Sequence, residues 1–284
     1  MCLPVSVASP TLCRTNLRPE SGLEAFFLPL DGSDRFCLLH LPQGKPRGNI
    51  LYLHPFAEEM NRSRAVVARQ ARAFAAAGYA VLQMDFYGCG DSAGDFGAAS
   101  WLRWRTDAQA AVHLLQEHFD APLCLWGLRS GTLLASEVAR ELDRDTALLL
   151  WQPVLSGKQH LQQFLRLSLA ADMLEGKTQG GTEALLAQLD AGQSLEVAGY
   201  TLAPTLAQGL AASVLEQPSA RQRMHCIEVV SGGGELSPVL RRFVSSGSAT
   251  ATSCDDTQCW LTPGVLLCTG LEAASLGAMR SLLP

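Results

Sequence analysis

The sequence has little of what several classes of protein require. Its 284 residues carry 22 Lys and Arg against 27 Asp and Glu, a formal net charge of −5. No basic patch that would bind nucleic acid stands out, so we expect no nucleic-acid partner. The longest apolar runs fall far short of the roughly 20 residues that span a bilayer, and we expect no membrane span. The start of the chain has no basic residue before its apolar stretch, so we expect no secretory signal.

The nine cysteines are scattered, without a C-x-x-C pair and without a cysteine and histidine cluster at the spacing of zinc ligands. Neither a disulfide framework nor a structural zinc site is therefore indicated, and a reducing cytoplasm is the simplest location. The closest pair, Cys254 and Cys259, is interpreted as two small apolar residues rather than a bridge. A G-x-x-x-x-G-K-[ST] loop is also missing. We therefore expect no metal and no cofactor.

What the sequence does contain is an alternation of strands and helices. Apolar strands at 49–55 and 79–86 flank an alanine-rich helix that stops at Gly78, and this order implies parallel pairing. The pattern repeats as far as a strand at 147–153, and residues 24–42 form a predicted hairpin before it. The predicted fold class is α/β, with a mostly parallel, doubly wound sheet.

The rhythm of the sheet breaks after Pro153 and resumes near residue 224. We interpret the intervening residues 156–218 as a cap inserted over the carboxyl edge of the sheet. The predicted organisation is one domain over residues 20–284, preceded by an N-terminal extension over residues 1–19. A last strand and a closing helix are expected after Ser248.

The stretch WGLRSG (126–131) has the spacing of a nucleophile elbow, G-x-S-x-G. In that turn the residues two before and two after the apex must be small, because the chain folds back tightly. Gly127 and Gly131 meet this requirement when Arg129 stands at the apex. The elbow therefore presents an arginine where a nucleophilic serine is expected.

Ser130 is the alternative apex, but its flanking residues would then be Leu128 and Thr132, which the tight turn excludes. We instead expect the backbone N–H of Ser130 to complete an oxyanion hole, with its hydroxyl turned toward the helix that follows.

These motifs together resemble the α/β-hydrolase superfamily. More narrowly, the chain resembles the exosortase A system-associated hydrolase 2 group over about residues 20 to 245. Four segments carry the resemblance: HPFAEEMNRSR (54–64), DFYGCGDSAGDF (85–96), WGLRSG (126–131) and LLLWQPVLSGKQHLQQFLRL (148–167). The resemblance implies hydrolysis of an ester or similar acyl bond, linked to bacterial gene clusters for exopolysaccharide production and exosortase-dependent sorting. That group also carries arginine at the elbow apex.

The catalytic triad that the superfamily implies is degenerate in this sequence. Glu235, in the turn Gly232 to Glu235, replaces the usual aspartate. The superfamily's histidine follows the last strand, but no histidine follows His225. Losing one member of a serine triad typically lowers kcat by about 10⁴ or more. An ordinary serine-esterase mechanism is therefore not expected.

The remaining candidates each have two interpretations. His54 organises the oxyanion loop or serves as a recruited general base. Glu58 and Glu59 form a solvated loop, or one of them pairs with Arg129. Cys89 is a small turn residue or a thiol nucleophile.

Two functions stay open at this stage. The first is a hydrolase with catalytic candidates Arg129, Ser130, His54 and Glu235, and with a small-molecule substrate bound near Phe56, Glu58, Glu59, Cys89 and Gln152. The second is an inactive hydrolase fold that binds an anionic metabolite or a protein partner through Arg129. The first requires a histidine and a carboxylate to converge near Arg129.

Overall fold

The computed structural model describes residues 22–174 and 180–283. The predicted extension over residues 1–19 lies outside the described residues. The predicted α/β-hydrolase fold is confirmed: an eight-stranded, mostly parallel sheet has the order β1-β2-β4-β3-β5-β6-β9-β10. Its strands are β1 (Gly22–Leu30), β2 (Ser33–Leu41), β3 (Gly48–Leu53), β4 (Tyr79–Met84), β5 (Leu123–Leu128), β6 (Thr146–Trp151), β9 (Gln222–Val229) and β10 (Thr250–Cys254).

The central strands consist mostly of apolar residues and are buried on both faces. Every residue of β3, β5 and β6 is buried. Strands of this kind need helices on both sides of the sheet. β1 and β2 form the predicted antiparallel hairpin, and β2 pairs antiparallel with β4. The other strands pair in parallel, so their carboxyl ends meet at one edge.

The helices are α1 (Glu58–Ala76), α2 (Trp101–His118), α3 (Gly131–Glu141), α4 (Gly157–Leu174), α5 (Thr182–Asp190), α6 (Pro204–Ala212), α7 (Pro238–Ser245) and α8 (Thr269–Leu282). α1 begins at Glu58, so Glu58 and Glu59 lie in the first turn of a helix and not in a loop, while Glu58 is exposed to solvent. Two acidic residues in a first turn are stabilised by the positive end of the helix dipole. In the described residues, no helix is both long and apolar enough to cross a membrane.

The described residues between β6 and β9 form three helices, α4 to α6, and a small hairpin of β7 (Leu195–Val197) and β8 (Tyr200–Leu202). We call this part of the chain, Gly157 to Ala212, the inserted segment. Its α6 packs on α4 and α2. The hairpin contacts the start of α1, where the Tyr200 hydroxyl donates to Glu58 Oε2 at 3.1 Å. The cap boundaries 156–218 stay a prediction.

Candidate functional site

The turn between β5 and α3 holds Arg129 at its apex in the left-handed region, with φ of +53°. A Cβ atom at Gly127 would lie 2.7 Å from the carbonyl oxygen of Gly131. A Cβ atom at Gly131 would overlap the carbonyl oxygen of Leu53. Only glycine fits at these two positions, so the tight turn follows directly from the sequence.

The guanidinium of Arg129 is held by two side chains. Its Nε donates to Glu59 Oε1 at 3.1 Å, and its Nη2 lies 3.4 Å from His160 Nδ1. Arg129 keeps 17% and Glu59 19% of its side-chain exposure, so the pair is largely shielded. The two charges neutralise each other. Removing either side chain would leave the other as an unpaired, shielded charge, which is destabilising.

His160 comes from α4 of the inserted segment and is only 5% exposed. Burial, and then the charge of Arg129, lower the pKa of His160 to about 3, so the ring is neutral at physiological pH. An arginine always donates, and therefore His160 Nδ1 accepts and Nε2 carries the proton. His160 Nε2 lies 3.8 Å from Glu59 Oε2. Neither atom has a hydrogen-bond partner among the described residues.

The carboxylate of Glu59 is a stronger base than an ordinary glutamate. Burial raises its pKa, and the charge of Arg129 offsets only part of this effect. A carboxylate and an imidazole thus converge on Arg129, as a hydrolase requires, but the imidazole belongs to His160 rather than to the predicted His54.

His160 was not predicted, because the sequence of a helix does not show which of its faces will contact a turn 31 residues earlier in the chain. The available signal is modest: HLQQFL (160–165) places His160 on the same helix face as Phe164. The rings of His160 and Phe164 both lie edge-on to Phe56, at 5.6 and 4.9 Å between centroids.

His54 lies next to this cluster, but both of its ring nitrogens are engaged by the backbone. Nδ1 lies 2.6 Å from the carbonyl oxygen of Pro55, and the N–H of Phe86 donates to Nε2 at 3.1 Å. Burial lowers the pKa of His54 to about 4. A ring with no free nitrogen can organise the oxyanion loop, the first of the two interpretations of His54. It is not suited to abstracting a proton.

Ser130 and Cys89 are both buried, with little access for a substrate. The Ser130 hydroxyl has no hydrogen-bond partner among the described residues. Its backbone N–H lies at the start of α3 and donates to no backbone carbonyl of the described residues. Burial raises the pKa of the Cys89 thiol, so the reactive thiolate is disfavoured.

The other predicted ligand-binding residues face different neighbours. Gln152 is hydrogen-bonded to the neighbouring strand β9. Its N–H donates to Ile227 O at 2.8 Å, and its Oε1 accepts from Val229 N at 2.9 Å. Glu58 bonds Arg62 and Tyr200 at the surface, and the hydrogen bond from Arg62 is the main reason that its pKa is lowered.

Glu235, the predicted triad acid, is 85% exposed in its side chain and pairs with Arg241 at 3.0 Å. It forms no ion pair or hydrogen bond with Arg129 in the described part of the chain. The structure therefore does not bring Glu235 together with the elbow. Five cavities in the described part of the chain are lined by other residues and not by Arg129.

This sheet, with its tight turn between β5 and α3, defines the chain as an α/β hydrolase by fold. The model of the serine aminopeptidase S33 family matches residues 44–187, about half of the chain. The chain belongs to that family. No curated protein matches it significantly.

Several solved structures share the fold. Est1E from Butyrivibrio proteoclasticus, solved with ferulic acid, has 18% identity and a TM-score of 0.66, covering 91% of this chain and 99% of its own. A carboxyl esterase from Bacillus coagulans, with glycerol, has 14% identity and a TM-score of 0.60, covering 93% and 100%. XC6422 from Xanthomonas campestris, an α/β serine hydrolase without a lid, has 16% identity and a TM-score of 0.58, covering 92% and 95%. At such identities the likeness concerns the fold alone.

Proposed function

We propose that this chain is a hydrolase of an ester or similar acyl bond that works without an acyl-enzyme. The convergence of Glu59 and His160 on Arg129 carries the proposal, because it supplies a base and a hydrogen-bond donor beside a cation at the elbow. Arginine at the apex offers no nucleophile, and so the triad is degenerate. Any hydrolysis must proceed by a route that does not use an apex serine.

The proposal includes a biological setting. Through its four matching segments the chain resembles the exosortase A system-associated hydrolase 2 group, and we propose a role in exopolysaccharide or cell-envelope metabolism on that basis. The seven described cysteines have free thiols, which suits the proposed cytoplasmic location. We also propose that residues 156–218 act as a cap, since His160 reaches the elbow from α4.

A panel of p-nitrophenyl esters and acyl thioesters tests the proposal. We expect slow turnover without a burst, and no labelling by a fluorophosphonate that traps active serines. Arg129→Ala is expected to lower the turnover by about 10- to 1,000-fold, as loss of a transition-state charge contact does. A folded protein that hydrolyses none of the panel would contradict the proposal.

A second candidate is an inactive protein that binds an anion through Arg129. The observation that favours it is the Nη1 atom of Arg129, which makes no hydrogen bond in the described part of the chain while the side chain stays 17% exposed. Guanidinium groups bind carboxylates and phosphates strongly. Titration calorimetry with acetate and with inorganic phosphate would detect such binding in the absence of turnover, and Arg129→Ala would abolish it.

A further inference from the structure

Two cysteine thiols meet where the segment after β10 reaches the start of α8. Cys268 is the N-cap residue of α8 and is 6% exposed, and Cys259 is fully buried in the same apolar cluster. The Cys268 thiol donates to the carbonyl oxygen of Thr257 at 3.5 Å, and Thr257 lies only two residues before Cys259. A hydrogen bond also joins the two thiols to each other. The pair is therefore in contact, although eight residues lie between its members in the sequence.

The backbone holds both cysteines in this arrangement. Asp256 Oδ2 accepts from the N–H of Leu271 at 3.0 Å, which ties the segment before Cys259 to the first turn of α8. After Cys259, the N–H of Leu261 donates to the carbonyl oxygen of Gln258 at 3.0 Å and closes a turn. A disulfide brings two sulfur atoms to about 2 Å, so thiols that already touch need little movement to form one.

The two thiols have different reactivities. Their mutual hydrogen bond raises the pKa of Cys259, and burial raises it further. The same hydrogen bond lowers the pKa of Cys268. The position of Cys268 at the start of a helix also favours its thiolate, because the positive end of the helix dipole stabilises a negative charge. The thiolate is the attacking species, so Cys268 reacts first and Cys259 second.

We propose that Cys259 and Cys268 form a redox-sensitive pair, which hydrogen peroxide converts to a disulfide and a dithiol returns to two thiols. The inference is independent of the proposed hydrolysis, since neither thiol belongs to the cluster around Arg129.

The oxidation takes two steps. In the first, the Cys268 sulfur bonds to one peroxide oxygen, the O–O bond breaks, and the departing hydroxide takes up the thiol proton as water. In the second, the Cys259 sulfur bonds to the sulfur of the Cys268 sulfenic acid, the S–O bond breaks, and hydroxide leaves with the Cys259 proton as a second water. Each sulfur is oxidised by one electron, and the peroxide is reduced by two.

The disulfide would close a loop that borders the elbow. Between the two cysteines lie Trp260, whose ring centre is 5.8 Å from Arg129 Cζ, and Leu261, whose carbonyl oxygen accepts from Arg62 Nη1. Cross-linking the ends of this loop reduces the freedom of the unfolded chain, and we expect Tm to rise by roughly 5 °C. Oxidation would thus hold Trp260 beside Arg129.

The test treats the reduced chain with hydrogen peroxide, blocks the remaining thiols with iodoacetamide and maps the disulfide by mass spectrometry without reduction. Trypsin leaves both cysteines and Cys254 in one peptide, because no Lys or Arg lies from residue 243 to residue 279. Asp-N, which cleaves before Asp255, and chymotrypsin, which cleaves after Trp260, separate them. We expect a cross-link between the peptides of Cys259 and Cys268, a loss of two hydrogen atoms (about 2 Da) and reversal by dithiothreitol.

Single substitutions assign the two roles. Cys259→Ser is expected to stop at a sulfenic acid on Cys268, which dimedone labels, and Cys268→Ser is expected to abolish the cross-link. The control is Cys254→Ser, which removes a half-buried thiol of β10 and should keep both the disulfide and the rise in Tm.

A disulfide that includes Cys254 would overturn the inference. So would thiols that stay unmodified at peroxide concentrations that oxidise free glutathione. Both outcomes are measured on wild type, so the test stands even where a serine variant fails to fold. Neither outcome bears on the proposed hydrolysis.

Discussion

The indole ring of Trp260 lies near the guanidinium of Arg129, with 5.8 Å between Arg129 Cζ and the ring centre. Trp260 comes from the segment after β10, where the superfamily's histidine is expected. The indole is an aromatic ring that accommodates a cation and has no basic nitrogen with which to activate a serine. A serine placed at the apex alone would therefore find no general base in the position of Trp260.

Arg129→Ser is accordingly expected not to create a serine hydrolase. A serine side chain is much shorter than that of Arg129, so His160 and Glu59, which contact the guanidinium at its far end, would lie beyond the reach of a serine hydroxyl. His54 is engaged by the backbone, and Trp260 has no basic nitrogen. Fluorophosphonate labelling followed by mass spectrometry of the intact protein measures this. Rapid stoichiometric labelling of the variant at residue 129 would contradict the prediction.

The elbow glycines are expected to be essential for folding. Gly131→Ala would place a methyl group against the carbonyl oxygen of Leu53, and we expect a loss of at least about 2 kcal/mol in the free energy of unfolding. The control is Gly277→Ala in α8, where no atom lies within 4 Å of the new Cβ. That change should stabilise the helix by about 0.5–1 kcal/mol. Urea unfolding followed by circular dichroism compares the two variants.

A buried ion pair anchors the hairpin to α2. Arg35 Nε lies 2.8 Å from Asp107 Oδ2, both side chains are almost fully buried, and the Tyr87 N–H donates to the same oxygen. Asp107→Asn leaves the charge of Arg35 uncompensated, and we expect a loss of about 3–5 kcal/mol. Chemical denaturation measures it. Asp143→Asn, which loses an exposed pairing with Arg221, should be indistinguishable from wild type.

Stability is expected to fall as the pH drops below about 6.5. The folded-state pKa of His160 is about 3, against an ordinary value of 6.5, so the unfolded chain binds a proton that the folded chain refuses. The contribution of His160 is present above pH 6.5 and is lost on the way down, by about 2 kcal/mol at pH 5. His54 adds a loss in the same direction.

His160→Asn should therefore lose less stability between pH 7 and pH 5 than wild type does. Denaturation at the two pH values measures the difference, and the exposed His113→Asn is the control. Equal pH dependence in wild type and His160→Asn would show that the ring is not held neutral against Arg129.

Much of the fold was predictable because it depends on local and periodic signals. Apolar runs of residues predicted the strands, and the turn between β1 and β2 predicted their hairpin. The elbow followed from two glycines at fixed spacing. The start of α1 was missed, although the acidic pair Glu58 and Glu59 before a helical pattern is a typical first turn.

The candidate site was predictable only in part, because its members meet through tertiary packing. Arg129 and Glu59 were named from the motifs and do pair. His160 and Trp260 were not named, because they lie in a helix and a loop whose orientation no local pattern sets. Glu235 had the right spacing in the chain, but its side chain is solvated and bound to Arg241.

The turn between β5 and α3 separates two tasks that a single motif usually combines. Gly127 and Gly131 hold the backbone in shape, while the side chain at the apex contributes nothing that the turn requires. Evolution can therefore exchange the apex residue at the expense of little more than its left-handed strain, about 1 kcal/mol for a residue other than glycine. The side chain at the apex, and with it the chemistry of the site, can therefore change while the turn and the surrounding sheet keep their structure.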